Sequence, residues 1–188
     1  MLKSILPLIL LPFLFWNNNK INSKTPRNAP NPNLYTILLT STAFMDHGTI
    51  NINFTCQGDN ISPDLAWDSI PDSVKSFAIT MQDFGATPYS KFHWIIYNIP
   101  PDYRALDENI VNLPNLTDGT LQGLNDLGNI GYTGPCPGNS GNRFEFIIYA
   151  LNEMMPFQGG ERKYDVLNEI DAHVMAVGRI VCYYRPIE

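Results

Sequence analysis

FHWIIYNI, residues 92–99, is apolar or aromatic at every position except His93 and Asn98. A short run with so few polar residues has no wet face, so it reads as a strand covered on both sides. Similar runs recur along the chain: LYTILLTSTAF (34–44), TININFTC (49–56), VKSFAITMQ (74–82), RFEFIIYAL (143–151) and RIVCYY (179–184). Each is bounded by Gly, Pro, Asn or Asp and is rich in Ile, Phe, Tyr and Thr, which predicts a β-sheet protein. In TININFTC, Ile50, Ile52 and Phe54 alternate with Asn51, Asn53 and Thr55, the period of a strand with one face in water. Two packed sheets, or one sheet covered by loops, accommodate both patterns.

One helix is expected, over YDVLNEIDAHVMAV (164–177), where Val166, Ile170, Val174 and Val177 form a stripe and Gly178 stands at the C-terminal cap position. The connection from Pro100 to Pro135 holds no long periodic segment, and a loop of that length is usually functional or compact in itself.

The chain has 188 residues, enough for one well-packed domain. It opens on MLKSILPLILLPFLFW, with Lys3 ahead of an apolar run too short and too proline-interrupted for a spanning helix. Residues 1–16 are therefore expected to be a secretory signal peptide, with an uncleaved N-terminal anchor as the alternative because no small-residue cleavage site follows. Residues 17–33, NNNKINSKTPRNAPNPN, read as a flexible linker, and the domain is expected over 34–188. Localisation follows as periplasmic or secreted, with membrane contact only through an uncleaved N-terminus.

Twelve Lys+Arg stand against 18 Asp+Glu, a net charge of −6 that argues against nucleic acid or an anionic membrane as partner. Of the three cysteines, Cys56, Cys136 and Cys182, at least one is unpaired, and the sequence leaves all three pairings open. Asn53, Asn60 and Asn115 lie in Asn-x-Ser/Thr sites.

Catalytic motifs are sparse. GNSGN (138–142) departs from a nucleophile elbow because Asn142 stands where glycine is needed and no strand precedes it. No metal-binding or phosphate-loop pattern occurs, and none of His47, His93 and His173 has a second ligand at metal spacing. No cofactor, metal or catalytic residue is expected. Cys136 reads as a packed loop cysteine, since a nucleophile would need a depressed thiol pKa.

What remains are polar residues set in apolar strands. Alone, His93 reads as a hydrogen-bonded core histidine and Asp83 as a turn-capping aspartate. Residues 83–93 are hairpin-like, however, and fold Asp83 toward His93; the carboxylate is expected to fix the imidazole tautomer and raise its pKa, making a donor for an anion. The glycines of GYTGPCPGNSGN (131–142) would let main-chain N–H groups approach a ligand, with Pro135 and Pro137 stiffening the loop.

From about Phe44 to Tyr184 the chain resembles the phosphatidylethanolamine-binding protein family, in its bacterial and archaeal Raf kinase inhibitor-like branch. The resemblance rests on FTCQGDNISPDLAW (54–67), QDFGATP (82–88), FHWIIYNIP (92–100), GLNDLGNIGYTGPCP (123–137) and IIYAL (147–151), in that order. It implies a mainly β fold, an antiparallel β-sandwich with a large sheet packed on a smaller one and peripheral helices, one near the C-terminus. It also implies a small pocket for phosphate-like anions, including phospholipid head groups, in proteins that mostly bind or inhibit.

Asp83 falls on the first aspartate of the family's D-P-D-A-P signature, His93 on its H-W histidine, and Gly134 and Pro135 on the pocket wall. The second signature aspartate is here Gly85, the prolines are Phe84 and Thr87, and the pocket's second histidine and tyrosine are Asn142 and Phe144. The expected ligand set is Asp83, His93, Gly134, Pro135, Asn142 and Phe144, in an altered pocket with weaker phosphate affinity. Two functions follow: a non-enzymatic binding protein for a small anionic ligand, or an exported module that inhibits a protease or kinase and keeps the pocket as a vestige.

Overall fold

The computed structural model describes residues 34–85, 90–137 and 143–186. The expected signal, the linker and Asn142 lie outside the described residues. In chain order the strands are β1 (Tyr35–Thr36), β2 (Leu38–Thr40), β3 (Gly48–Thr49), β4 (Leu65–Asp68), β5 (Ser76–Asp83), β6 (Lys91–Ile99), β7 (Ala105–Leu106), β8 (Leu121–Gln122), β9 (Arg143–Leu151) and β10 (Val174–Tyr183). One helix, α1 (Lys163–His173), precedes β10.

A large sheet runs β1-β10-β9-β5-β6-β8, with β3 also on β10, and a small one runs β2-β4-β7. The long strands pair antiparallel; β1 and β3 are short parallel additions to β10. Strand alternation decides which core each residue joins. Phe77, Ile79 and Met81 of β5 face the small sheet and meet Leu39, Leu65, Trp67 and Leu106 in one cluster. Ala78 of β5, with Phe92, Ile95 and Tyr97 of β6, faces the other way and meets Val166 and Ile170 of α1. The strand expected to be covered on both faces is so covered: every residue from Phe92 to Ile99 is buried.

Two sequence expectations are corrected. TININFTC is not an alternating strand. Only Gly48–Thr49 pairs, and Ile52–Phe54 is a 3-10 turn whose first N–H groups are capped by the Asn51 side chain, which accepts from Asn53 N at 3.1 Å. The helix ends at His173, four residues before Val177. Val174 and Val177 instead begin the β-branched run of β10, where they pair with Leu151 and Tyr149. Gly178 is thus not a helix cap. It sits where β10 passes Ile37, between β1 and β2, and a Cβ there would overlap the Ile37 carbonyl oxygen and lie 3.0 Å from Ile148 Cγ2.

The long connection from Pro100 to Pro135 is compact, as its length suggested. Gln122 anchors it: its Oε1 accepts from Trp94 Nε1 at 2.7 Å, and its Nε2 donates to the carbonyls of Val111 and Leu113 at 2.7 and 2.9 Å.

Candidate functional site

The end of β5, the start of β6 and the start of β9 lie side by side, with Asp83 in register with Lys91 on one flank and Phe144 on the other. Met81 pairs with Trp94 and Gln82 with Phe92, so His93 is an extra residue in β6. Such a bulge re-aims its side chain. The ring of His93 turns toward Asp83, with Nε2 4.0 Å from Asp83 Oδ2 and both side chains 1% exposed. Phe144 packs against the imidazole edge to face, centroids 5.2 Å apart.

Asp83 fills both roles read from the sequence. Its Oδ1 accepts from Gly85 N at 2.8 Å, capping the turn, while Oδ2 faces the histidine.

The loop from Gly131 to Pro137 forms the opposite wall. Thr133 N donates to the His93 carbonyl at 3.0 Å, and His93 Nδ1 lies 2.8 Å from the Thr133 carbonyl. Tyr132 is the plug beneath it: its hydroxyl donates to Phe54 O at 2.6 Å and its ring packs edge to face on Trp94. Gly134 must be glycine, because a Cβ would overlap the Phe54 carbonyl and reach 2.9 Å from Thr55 Cα. Its N–H donates to Asn60 Oδ1 at 2.8 Å, so the main-chain donor expected to meet a ligand is engaged within the protein. Pro135 is buried, and its carbonyl accepts from Cys56 N at 3.0 Å.

Cys56 and Cys136 form a disulfide, and Cys182 is the buried free thiol. Of the three pairings the sequence left open, the structure makes this one, and the loop cysteine Cys136 is half of the bridge. The bridge ties the 131–137 wall to the 54–60 turn.

The electrostatic expectation for His93 is reversed. Burial, which disfavours the charged ring, outweighs the backbone hydrogen bond to Thr133 and the charge of Asp83, and holds its pKa below the ordinary value. The ring is therefore neutral at neutral pH. Its Nε2 is buried and has no hydrogen-bond partner among the described residues.

Several positioning residues escaped the sequence reading. Asn125 Nδ2 lies within 3.2 Å of the His93 carbonyl and 3.0 Å of both the Gly131 carbonyl and Thr133 Oγ1. Asn112 brackets Tyr132, accepting from its N–H at 2.9 Å and donating to its carbonyl at 3.1 Å. Both asparagines act across loop segments far apart in sequence, a relation that no local pattern carries.

A family model for phosphatidylethanolamine-binding proteins matches residues 40–185. The chain belongs to the phosphatidylethanolamine-binding protein family. Within the family it is 42% identical over 143 residues to a UPF0098 protein of Methanothermobacter thermautotrophicus, covering 76% of this chain and 95% of the relative. It is 34% identical over 137 residues to the UPF0098 protein YbcL of Escherichia coli, covering 70% of this chain and 75% of the relative.

The crystal structure of YbcL, described as a new member of the mammalian family, superposes with a TM-score of 0.72 at 27% identity and covers 80% of this chain and 99% of its own. CT736 of Chlamydia trachomatis, described as a homolog of the family, gives a TM-score of 0.71 at 31% identity, covering 81% and 99%. The mainly β two-sheet fold, with its helix just before the last strand, is thus the family fold.

Proposed function

We propose that this member is a non-enzymatic binding protein whose pocket, at the Asp83–His93 end of the large sheet, takes a small oxyanion of the phosphate or head-group type. The observation that carries the reading is His93: a 1% exposed imidazole set on a bulge with an unpartnered Nε2 beside a carboxylate. A buried polar atom without a partner costs about 1–3 kcal/mol, which a ligand group can recover. Asp83 and His93 supply the polar face, Gly134 and Pro135 the wall, and Phe144 an apolar side where the family has tyrosine. Asn142, the remaining expected ligand residue, is kept in the set on its sequence position.

The absence of a catalytic role is part of the proposal. Cys136, the nucleophile candidate of the sequence, is consumed in the disulfide. Export to the periplasm or beyond, expected from the N-terminus, accords with that bridge, because disulfides persist in oxidising compartments.

The experiment is a thermal-shift titration of the protein with phosphate, phosphoethanolamine and acetate, repeated on His93→Ala. A ligand that binds only the native state at about 100 times its Kd adds about 2.7 kcal/mol of stability. A rise in Tm that the variant loses supports the site. No rise with any of the three would refute it and turn attention to the protease- or kinase-inhibitor alternative.

A further inference from the structure

The fold uses one nitrogen of His93 and leaves the other. The Thr133 carbonyl oxygen can only accept, so Nδ1, 2.8 Å from it, carries the ring proton. In the neutral ring Nε2 is then a lone pair that can only accept. It is buried, with no hydrogen-bond donor to it among the described residues. The nearest ionisable oxygen, Asp83 Oδ2 at 4.0 Å, belongs to a carboxylate and is an acceptor as well. Gly134 N and Gly85 N, the backbone donors on either side, are spent on Asn60 and Asp83. Between His93 Nε2 and Asp83 Oδ2, acceptor therefore faces acceptor.

We infer that the pocket selects a tetrahedral oxyanion that still carries a proton, hydrogen phosphate or a singly protonated phosphomonoester, and turns away the same shape without one. This rests on the pocket reading above and narrows it to a ligand class. The P–O–H group of such a ligand donates to His93 Nε2, the one contact that relieves the orphaned lone pair. Sulfate has nearly the same size and shape but no proton at neutral pH. Its oxygen would set another acceptor against Nε2, with no proton to place between them. A phosphodiester, the form phosphate takes within a membrane phospholipid, likewise has no P–O–H. The selection therefore favours free phosphate or a monoester over an intact lipid head group.

Calorimetric titration of the full chain with inorganic phosphate and with sodium sulfate, at neutral pH and matched ionic strength, tests the inference. Phosphate is expected to bind at least about tenfold tighter than sulfate. The two sources of phosphate are separated by phosphoethanolamine against glycerophosphoethanolamine near the monoester's second pKa of about 6, where the monoester is expected to bind tighter.

A second measurement needs no variant. Nitrogen-15 NMR of the imidazole is expected to show His93 protonated at Nδ1, with the bare Nε2 resonance moving on addition of phosphate and staying in place with sulfate. Sulfate binding within about twofold of phosphate, or a free-state ring protonated at Nε2, overturns the inference and leaves the pocket standing. Binding of neither ion overturns the pocket itself.

Discussion

Thr133 and His93 hold each other twice: the threonine N–H donates to the histidine carbonyl at 3.0 Å, and the histidine Nδ1–H donates back to the threonine carbonyl at 2.8 Å. The pair works as a rung between a loop and a bulged strand, and it fixes both the place of the ring and its tautomer. Asn125 holds the rung from the side, with its Oδ1 also accepting from Leu127 N and Asn129 N at 3.0 Å. Asn125→Ala would strand several of these buried groups at once, at a cost of about 2–3 kcal/mol. Urea denaturation measures the loss; a change within about 0.5 kcal/mol would mean that the loop is held without it.

Stability should depend on pH through the same ring. Burial holds the His93 pKa below its ordinary value, against the backbone at Thr133 and Gly134 and the charge of Asp83, and with Lys91 acting in the same direction as burial. In the unfolded chain the group titrates near about 6.5. Between the folded value and that figure the unfolded chain binds more protons, so stability is complete above the window and falls as the pH drops through it. The urea midpoint of the wild type is expected to decline from neutral to mildly acid pH more steeply than that of His93→Gln. Parallel declines would remove His93 as the cause.

Thiol counting separates the three cysteines. Burial pushes the Cys182 thiol up to about 12, so it is neither exposed nor ionised at neutral pH. Native protein should release no colour from an aromatic disulfide reagent, denatured protein one equivalent, and denatured, reduced protein three, given the single bridge and the sequence count. Reducing the bridge should lower the unfolding free energy by roughly 2–4 kcal/mol, because it closes a loop of 80 residues. A native thiol that reacts at once would show the bridge to be open.

Phe144→Tyr would introduce the phenol that the family resemblance implies at this position. The ring is fully buried against His93, so the new hydroxyl lacks water and should cost stability in the unliganded protein. With phosphate bound, one charge-assisted hydrogen bond should raise affinity by about tenfold or more. Titration of both proteins reads the sign; equal affinities would place the hydroxyl away from the ligand.

The long strands were legible because continuous apolar runs of eight or nine residues admit few alternatives once two-sided burial is assumed. The same logic failed where two periods coincide. Val174 and Val177 extend a helical stripe as readily as they begin a strand, and only the pairing with β9 decides between them. Ile50, Ile52 and Phe54 alternate like a strand, yet the Asn51 side chain closes a turn inside the run.

At the site, Asp83 and His93 were visible as polar residues within apolar strands, the hairpin-like stretch between them supplied their pairing, and the family resemblance set both on its signature positions. The reversed pKa of His93 was not visible, because it depends on how completely distant segments bury the ring. Nor was the rung to Thr133, 40 residues away.

The order of strands in the large sheet carries a kinetic consequence. β9 is inserted between β5, which precedes it by some sixty residues, and β10, the strand that follows it. The walls of the proposed pocket come from the turn after β3, from strands β5 and β6, from the 131–137 segment and from β9 itself. Contacts of such separation form late and slowly, after the local hairpin has closed. Binding at the proposed pocket should therefore emerge together with the last phase of refolding and never ahead of it, so that its occupancy would report a finished chain.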